Sequence, residues 1–269
     1  MIYLGPGGLP TITKGDTIQG LKDLKSIGLN FMELEFVHSV YLKKEKALEI
    51  GKFAKELGIG LSIHAPYYIN FGNPEKFPSS KKRILDSCEI GHHLGAKYIV
   101  FHPAFYGKFD KDAVYKMVLR NCLDMQDIIL KNGWNVILGM EATGKRSQFG
   151  TLDELVRLSG ETKVCQPVID FSHIYARQGG HINYTEVLDK VKSFNHLHCH
   201  FSNIEFTEAG ERRHLPLGTA GPDFKELAKE IVKRGLDITI ICETPLLEQD
   251  SLKMKRIFEE LGGALQGLK

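Results

Sequence analysis

Cysteine and tryptophan are scarce in this 269-residue chain, at five and one. The cysteines, Cys88, Cys122, Cys165, Cys199 and Cys242, are odd in number, widely spread and mostly set in apolar runs. That usage argues against a disulfide framework and for a reducing, cytoplasmic compartment, with the thiols acting as small core fillers. No run approaches the roughly 18 uninterrupted apolar residues of a membrane span, so no membrane partner is expected. The opening MIYLGPGGLP has neither the basic nor the apolar segment of a secretory signal. Charge of one sign is not in excess either, because 35 Lys+Arg against 33 Asp+Glu leave a net +2. Bulk charge therefore offers no argument for nucleic-acid binding, although a local basic face would suffice for it. Low-complexity tracts and linker-like stretches are absent, and with 42% hydrophobic and 25% charged residues the disordered and collagen-like classes are excluded.

What is present is a regular alternation. Strand-like apolar runs occupy roughly 2–4, 31–37, 60–66, 97–103, 135–142, 166–172, 196–202 and 237–243. Between them lie helix-period segments such as KALEIGKFAKELG and DFKELAKEIVKRG. Gly28, Gly58, Gly95, Gly133 and Gly235 stand where left-handed helix caps are wanted. Eight strand-helix repeats without a linker predict an α/β protein, a single (β/α)8 TIM barrel covering 1–269 as one domain. A doubly wound open sheet is the alternative.

A barrel of this kind carries its chemistry at the C-terminal ends of its strands. Those ends hold Glu35 (MELEFV), His64 (LSIHAPY), His102 (YIVFHPA), Glu141 (ILGMEAT), Asp170 and His173 (VIDFSH), His200 (LHCHFSN) and Glu243 (IICETP). Any one of these has a bland structural explanation, as a cap or a satisfied core residue. Several buried carboxylates and imidazoles at one rim are costly unless a cation compensates them. Few basic residues accompany these strand ends, so metal is the economical partner. Imidazole and carboxylate without clustered thiolate point to zinc, manganese, iron or cobalt. More than six candidate ligands imply two or three ions. His198 alternates with His200 and lies deeper, whereas His92 and His93 sit in a helical pattern as surface or packing residues. His38 and His181 carry no usable pattern.

At these residues the chain resembles the endonuclease IV family of apurinic/apyrimidinic endonucleases, within the xylose-isomerase-like barrels. The matching segments run in order: HAPYYIN at 64–70, FHPA, GMEAT, VIDFSH, HFSN, RRHLPLG and CETP. The resemblance implies a zinc centre in which His64, His102 and Glu141 hold one ion and Glu141 bridges to a second held by Asp170, His200 and Glu243. His173 and His214 would hold a third, with Mn2+ or another divalent ion as a substitute for Zn2+. It also implies that Tyr67 and Asn70 touch DNA. The family commonly has an Asp two residues before the His of RRHLPLG; here that position is Arg212, with Glu211 beside it. Phe-Ser-His after Asp170 and FSNIE after His200 are further departures, which place the chain in a divergent branch.

The activity so implied is hydrolysis of the phosphodiester 5′ to an abasic site in double-stranded DNA, with Glu141 and Glu243 as catalytic residues that bind metal and position the attacking water. Lys145, Arg146, Arg177, Arg212 and Arg213 are candidates for phosphate contact, or else ordinary loop charge. A monomer is expected. The rival is a sugar isomerase or epimerase of the same superfamily, which needs only one divalent ion on Glu141, Asp170, His200 and Glu243. The additional His64, His102, His173 and His214 favour the nuclease. A third possibility is a metal-stabilised protein that binds damaged DNA without cutting it.

Overall fold

A computed structural model describes residues 1–265; the last four residues of the expected 1–269 unit lie outside it. Its eight long parallel strands are β1 (Ile2–Pro6), β2 (Phe31–Glu35), β3 (Gly60–His64), β4 (Tyr98–Phe101), β5 (Ile137–Glu141), β6 (Cys165–Asp170), β7 (Leu197–Phe201) and β8 (Ile238–Cys242). All fall within a residue or two of the apolar runs expected to form them. They are ordered β1-β8-β7-β6-β5-β4-β3-β2 in one sheet. This is the TIM barrel, not the doubly wound alternative.

The seam between β1 and β2 closes by other means than a full ladder. Asn30 substitutes for a strand partner: its Oδ1 accepts from Leu4 N–H at 2.7 Å and its Nδ2 donates to the Ile2 carbonyl at 3.2 Å. Beyond it, Gly8 N–H donates to the Glu33 carbonyl at 2.9 Å. The two backbones come so close that a Cβ on Gly5 would lie 1.6 Å from the Phe31 carbonyl oxygen. Gly5→Ala should therefore spread the seam and cost about 3 kcal/mol, at the upper end for overpacking because the obstacle is backbone. Denaturant unfolding measures this, and an unchanged midpoint contradicts the close approach.

Helices cover the outside because each presents one apolar stripe to the sheet. Asp16, Asp110, Thr151 and Asp223 cap helices at Thr17–Ser26, Lys111–Asn132, Leu152–Gly160 and Phe224–Arg234, each side chain accepting from a first-turn N–H. Gly58, Gly95, Gly133 and Gly235 take the left-handed caps expected of them. Gly28 does the same one residue past Ile27, with φ 76° and its N–H donating to the Lys25 carbonyl at 3.1 Å. The main core lies between helices and sheet, and all five cysteines are buried there or beside it with free thiols. No helix among the described residues is long and apolar enough to cross a membrane.

Inside the barrel, side chains alternate along each strand. The series Phe31-Glu33-Glu35, His196-His198-His200 and Thr239-Ile241-Glu243 climb toward the C-terminal mouth. Aromatic and aliphatic groups fill the lower interior, where Tyr98 stacks on His198 with ring centroids 4.6 Å apart and Tyr3, Phe31 and Ile241 pack together. The upper level is almost wholly ionisable.

Candidate metal centre

Glu141, the last residue of β5 and 1% exposed, is the hub. Its Oε2 lies 3.1 Å from His64 Nε2 and 3.0 Å from His102 Nε2. Its Oε1 lies 3.2 Å from His173 Nδ1 and 3.4 Å from His200 Nδ1. His200 Nδ1 is also 3.2 Å from Glu243 Oε1. Asp170 ends β6 and turns the chain at once: its Oδ1 accepts from His173 N–H at 2.8 Å, starting the short helix Phe171–Arg177. Its Oδ2 is 3.2 Å from His173 Nδ1. That immediate turn lets two ligand candidates three residues apart face the same mouth.

Candidate ligand atoms gather within 4.8 Å of one another in two main sets, His64-His102-Glu141 and Glu141-Asp170-His200-Glu243, which share Glu141. A further set is Asp170-His173-His214. Three imidazoles are oriented by the backbone. His64 Nδ1 lies 3.1 Å from the Ala65 carbonyl, His173 Nδ1 3.0 Å from the Ala142 carbonyl and His214 Nδ1 3.0 Å from the Glu243 carbonyl. With the proton donated there, each ring keeps an Nε2 lone pair for the cluster. Glu141 Oε1, Asp170 Oδ2, His200 Nδ1 and Glu211 Oε2 are buried without an aligned hydrogen-bond partner among the described residues. Buried polar atoms seldom go unsatisfied, and facing sets of hard oxygen and imidazole donors fit divalent cations of the zinc type.

The hairpin Asn203–Thr207 and Gly210–Leu215 supplies the last pieces and resolves the Arg212 departure. Its register pairs Glu205 with Arg213 and Phe206 with Glu211, so Arg212 is the extra residue of a bulge. In an unbroken strand residues 212 and 214 share a face; the bulge shifts the phase by one. Glu211 consequently joins His214 over the mouth. Its Oε2 is 3.0 Å from His173 Nε2, and His214 Nε2 is 3.4 Å from that same nitrogen. Arg212 and Arg213 instead project outward, both paired with Glu205. Gly144 makes room for this, since a Cβ there would sit 2.2 Å from Glu211 Oε2.

Electrostatics follow from the crowding. Burial works against charge throughout, yet His102 and His200 hold the Glu141 carboxyl well below its ordinary range. His200 likewise draws Glu243 down to about 2 against its burial. Glu35 and Glu141 raise His64 to about 10 despite burial. Where burial wins, the carboxyl rises: Asp170 to about 6, with Glu243 and Glu141 adding repulsion, and Glu35 to about 8, pushed further by Glu33 and Glu243.

Above the cluster opens a cleft of about 370 Å³ lined by His64, His102, Glu141, His173, Glu211, His214 and Glu243 together with Glu35, Tyr67, Tyr68 and Phe105. Tyr67, Tyr68 and Phe105 are exposed aromatics at its rim, and Tyr68 is held at φ 69°. Of these the sequence points only to Tyr67; the doubled Tyr in HAPYYIN is the available signal for its neighbour, and nothing local distinguishes Phe105. The other substrate candidates lie elsewhere. Asn70 is buried away from the cleft, its Oδ1 accepting from Gly72 and Phe105 N–H to shape the loop. Arg213 lies on the outer face of the hairpin. Arg177, a candidate for phosphate contact, is committed to the backbone carbonyls of Thr143, Lys145 and Gln148 and ties down the 142–150 loop. Glu33, unnoticed in sequence, sits two residues below Glu35 and touches His198 and His200.

Comparison with known proteins agrees with this geometry. Residues 21–261 match the family described as xylose isomerase-like TIM barrel. An uncharacterized protein of Methanocaldococcus jannaschii is 36% identical, covering 97% of this chain and 98% of that one. A probable endonuclease 4 of Mycoplasma mobile is 27% identical over 74% of each chain. Among solved structures, endonuclease IV from Thermus thermophilus superposes with a TM-score of 0.73 at 19% identity, over 93% of this chain and 96% of that one. A D-tagatose 3-epimerase-like protein superposes almost as well, at 0.72 and 16% identity over 90% and 92%; at such identities the likeness speaks for the fold alone. The chain thus belongs to the xylose isomerase-like TIM-barrel family, in a divergent branch alongside the endonuclease 4 proteins.

Proposed function

We propose that this protein is a metal-dependent endonuclease that hydrolyses the phosphodiester 5′ to abasic sites in double-stranded DNA. One observation carries the reading: His64, His102, His173 and His214 surround the Glu141-Asp170-His200-Glu243 set, and Glu211 joins them through the hairpin bulge. A sugar isomerase or epimerase needs one ion and the four-residue set only. Imidazoles beyond that set suit a site that must neutralise a phosphodiester while it is attacked. The endonuclease 4 relative supports the same choice.

Bound zinc-type cations would lower the pKa of water towards about 7 and offset charge developing on phosphorus and on the departing 3′ oxygen. The chain does the rest. Hydrolysis forms one bond from water oxygen to phosphorus and breaks the phosphorus bond to the 3′ oxygen, which leaves with a proton. Glu141 and Glu243 face the cleft from adjacent sides of the cluster and would orient the water. Tyr67 and Tyr68 offer ring faces to bases flanking an abasic gap, where stacking is worth about 1–3 kcal/mol per base. Lys145, which lies 3.6 Å from Glu211, would meet a backbone phosphate.

The test pairs elemental analysis with incision of a duplex carrying one tetrahydrofuran site, with Zn2+ or Mn2+ supplied. We expect two or more ions per chain, cleavage on the 5′ side, and binding whose logarithm falls with log salt at about 0.9 per phosphate contacted. One ion, no cleavage and epimerisation of a ketose would move the assignment to the sugar enzymes. Tight binding without single-turnover incision would leave a recognition protein.

A further inference from the structure

Glu33 lies inside the barrel on β2, 0% exposed, beneath the metal centre. Its Oε2 accepts from Ser62 Oγ at 2.6 Å and lies 3.2 Å from His198 Nε2. Its Oε1 is 3.0 Å from His200 Nε2, within reach of an N–H there though off its axis. His200, also fully buried, turns its other nitrogen to Glu141 and Glu243.

This matters because an imidazole can offer a lone pair to a cation from one nitrogen only when its proton is held at the other. His64, His173 and His214 each have a backbone carbonyl at the far nitrogen. Among the described residues His200 has none; the group at its far nitrogen is the Glu33 carboxylate. That carboxylate is itself gripped from below by Ser62 and by His198, whose ring is stacked on Tyr98.

We propose that Glu33 is a positioning residue: it holds the His200 proton at Nε2 and so aims Nδ1 at the ion shared with Glu141, Asp170 and Glu243. The proposal rests on the metal reading of the mouth but not on a DNA substrate. It also gives a buried glutamate, which no lysine or arginine among the described residues compensates, a reason to be there.

The decisive measurement is the affinity and stoichiometry of Zn2+ for the full chain, by competition with a chromophoric chelator, in wild type and Glu33→Gln. Glutamine keeps the size but cannot accept from Ser62 and from His200 with a carboxylate's strength. The expected result is a 10- to 100-fold weaker ion, in line with other residues that orient metal-binding imidazoles, while a purely structural role would lower only the melting temperature. Unchanged affinity overturns the proposal. Should Glu33→Gln fail to fold, nitrogen-15 spectra of the histidines in Zn2+-loaded wild type decide alone. A proton on His200 Nε2 with the metal shift on Nδ1 supports the assignment; the opposite arrangement, or a wild type that takes up no zinc, defeats it. Wild type that binds zinc without cutting DNA would sink the nuclease reading and leave this one standing.

Discussion

Replacing Glu141 with glutamine should lower incision of abasic duplex by about three orders of magnitude or more and release at least one ion. Four imidazoles lie within 3.4 Å of this carboxylate, which is shared by both main ligand sets. Removing the partner of buried charges typically costs about 3–5 kcal/mol, because the groups left behind are uncompensated. A loss of about 4 kcal/mol confined to the bound transition state already corresponds to about 10³ in rate. Metal content and single-turnover cleavage, measured on the same preparation, test both parts. A Glu141→Gln protein with full metal content and full rate would show that another residue bridges the centre.

Stripping the ions should have the next largest effect. Three carboxylates, the buried Glu33 and the half-buried Glu35 and Glu243, meet within 4.8 Å beside the Glu141 set, and metal is their natural counter-charge. For an ion supplied at a thousand times its dissociation constant, its loss removes about 4 kcal/mol of stability. The dialysed chain should melt several degrees lower and recover on adding Zn2+. The pH dependence has a definite sign. Without metal, His64 has its pKa raised to about 10 and His173 and His200 are raised as well, so at neutral pH an entering cation must displace protons. Uptake should therefore release protons and tighten as pH rises through the neutral range. Calorimetry in two buffers of different ionisation heat reads the proton count, and a count of zero would contradict protonated imidazoles in the metal-free cluster.

Much of this was legible along the chain. Eight apolar runs separated by amphipathic helices define the barrel because burial against one sheet needs that periodicity and little else. Strand ends then identify His64, His102, Glu141, Asp170, His200 and Glu243, since ionisable residues inside runs otherwise suited to burial have few explanations. Glu33 escapes the period-two logic that places His198: a carboxylate at mid-strand, one step below Glu35, offers no local hint of which buried partner it meets. Asn70 stands three residues from Tyr67 in one motif, yet loop curvature turns it inward to bind backbone N–H groups.

Fold, mouth and ligand types are consequences of local pattern: period-two strands, 3.6-residue helices, and polar residues at the points where strands end. Which nitrogen of each histidine faces the centre, the Asn30 seam between β1 and β2, and the bulge at Arg212 that brings Glu211 over His173 depend on contacts between segments far apart in the chain. A one-residue change of strand phase moves a side chain to the opposite face without altering composition or periodicity enough to be noticed. Only the folded hairpin, packed against Gly144, decides it.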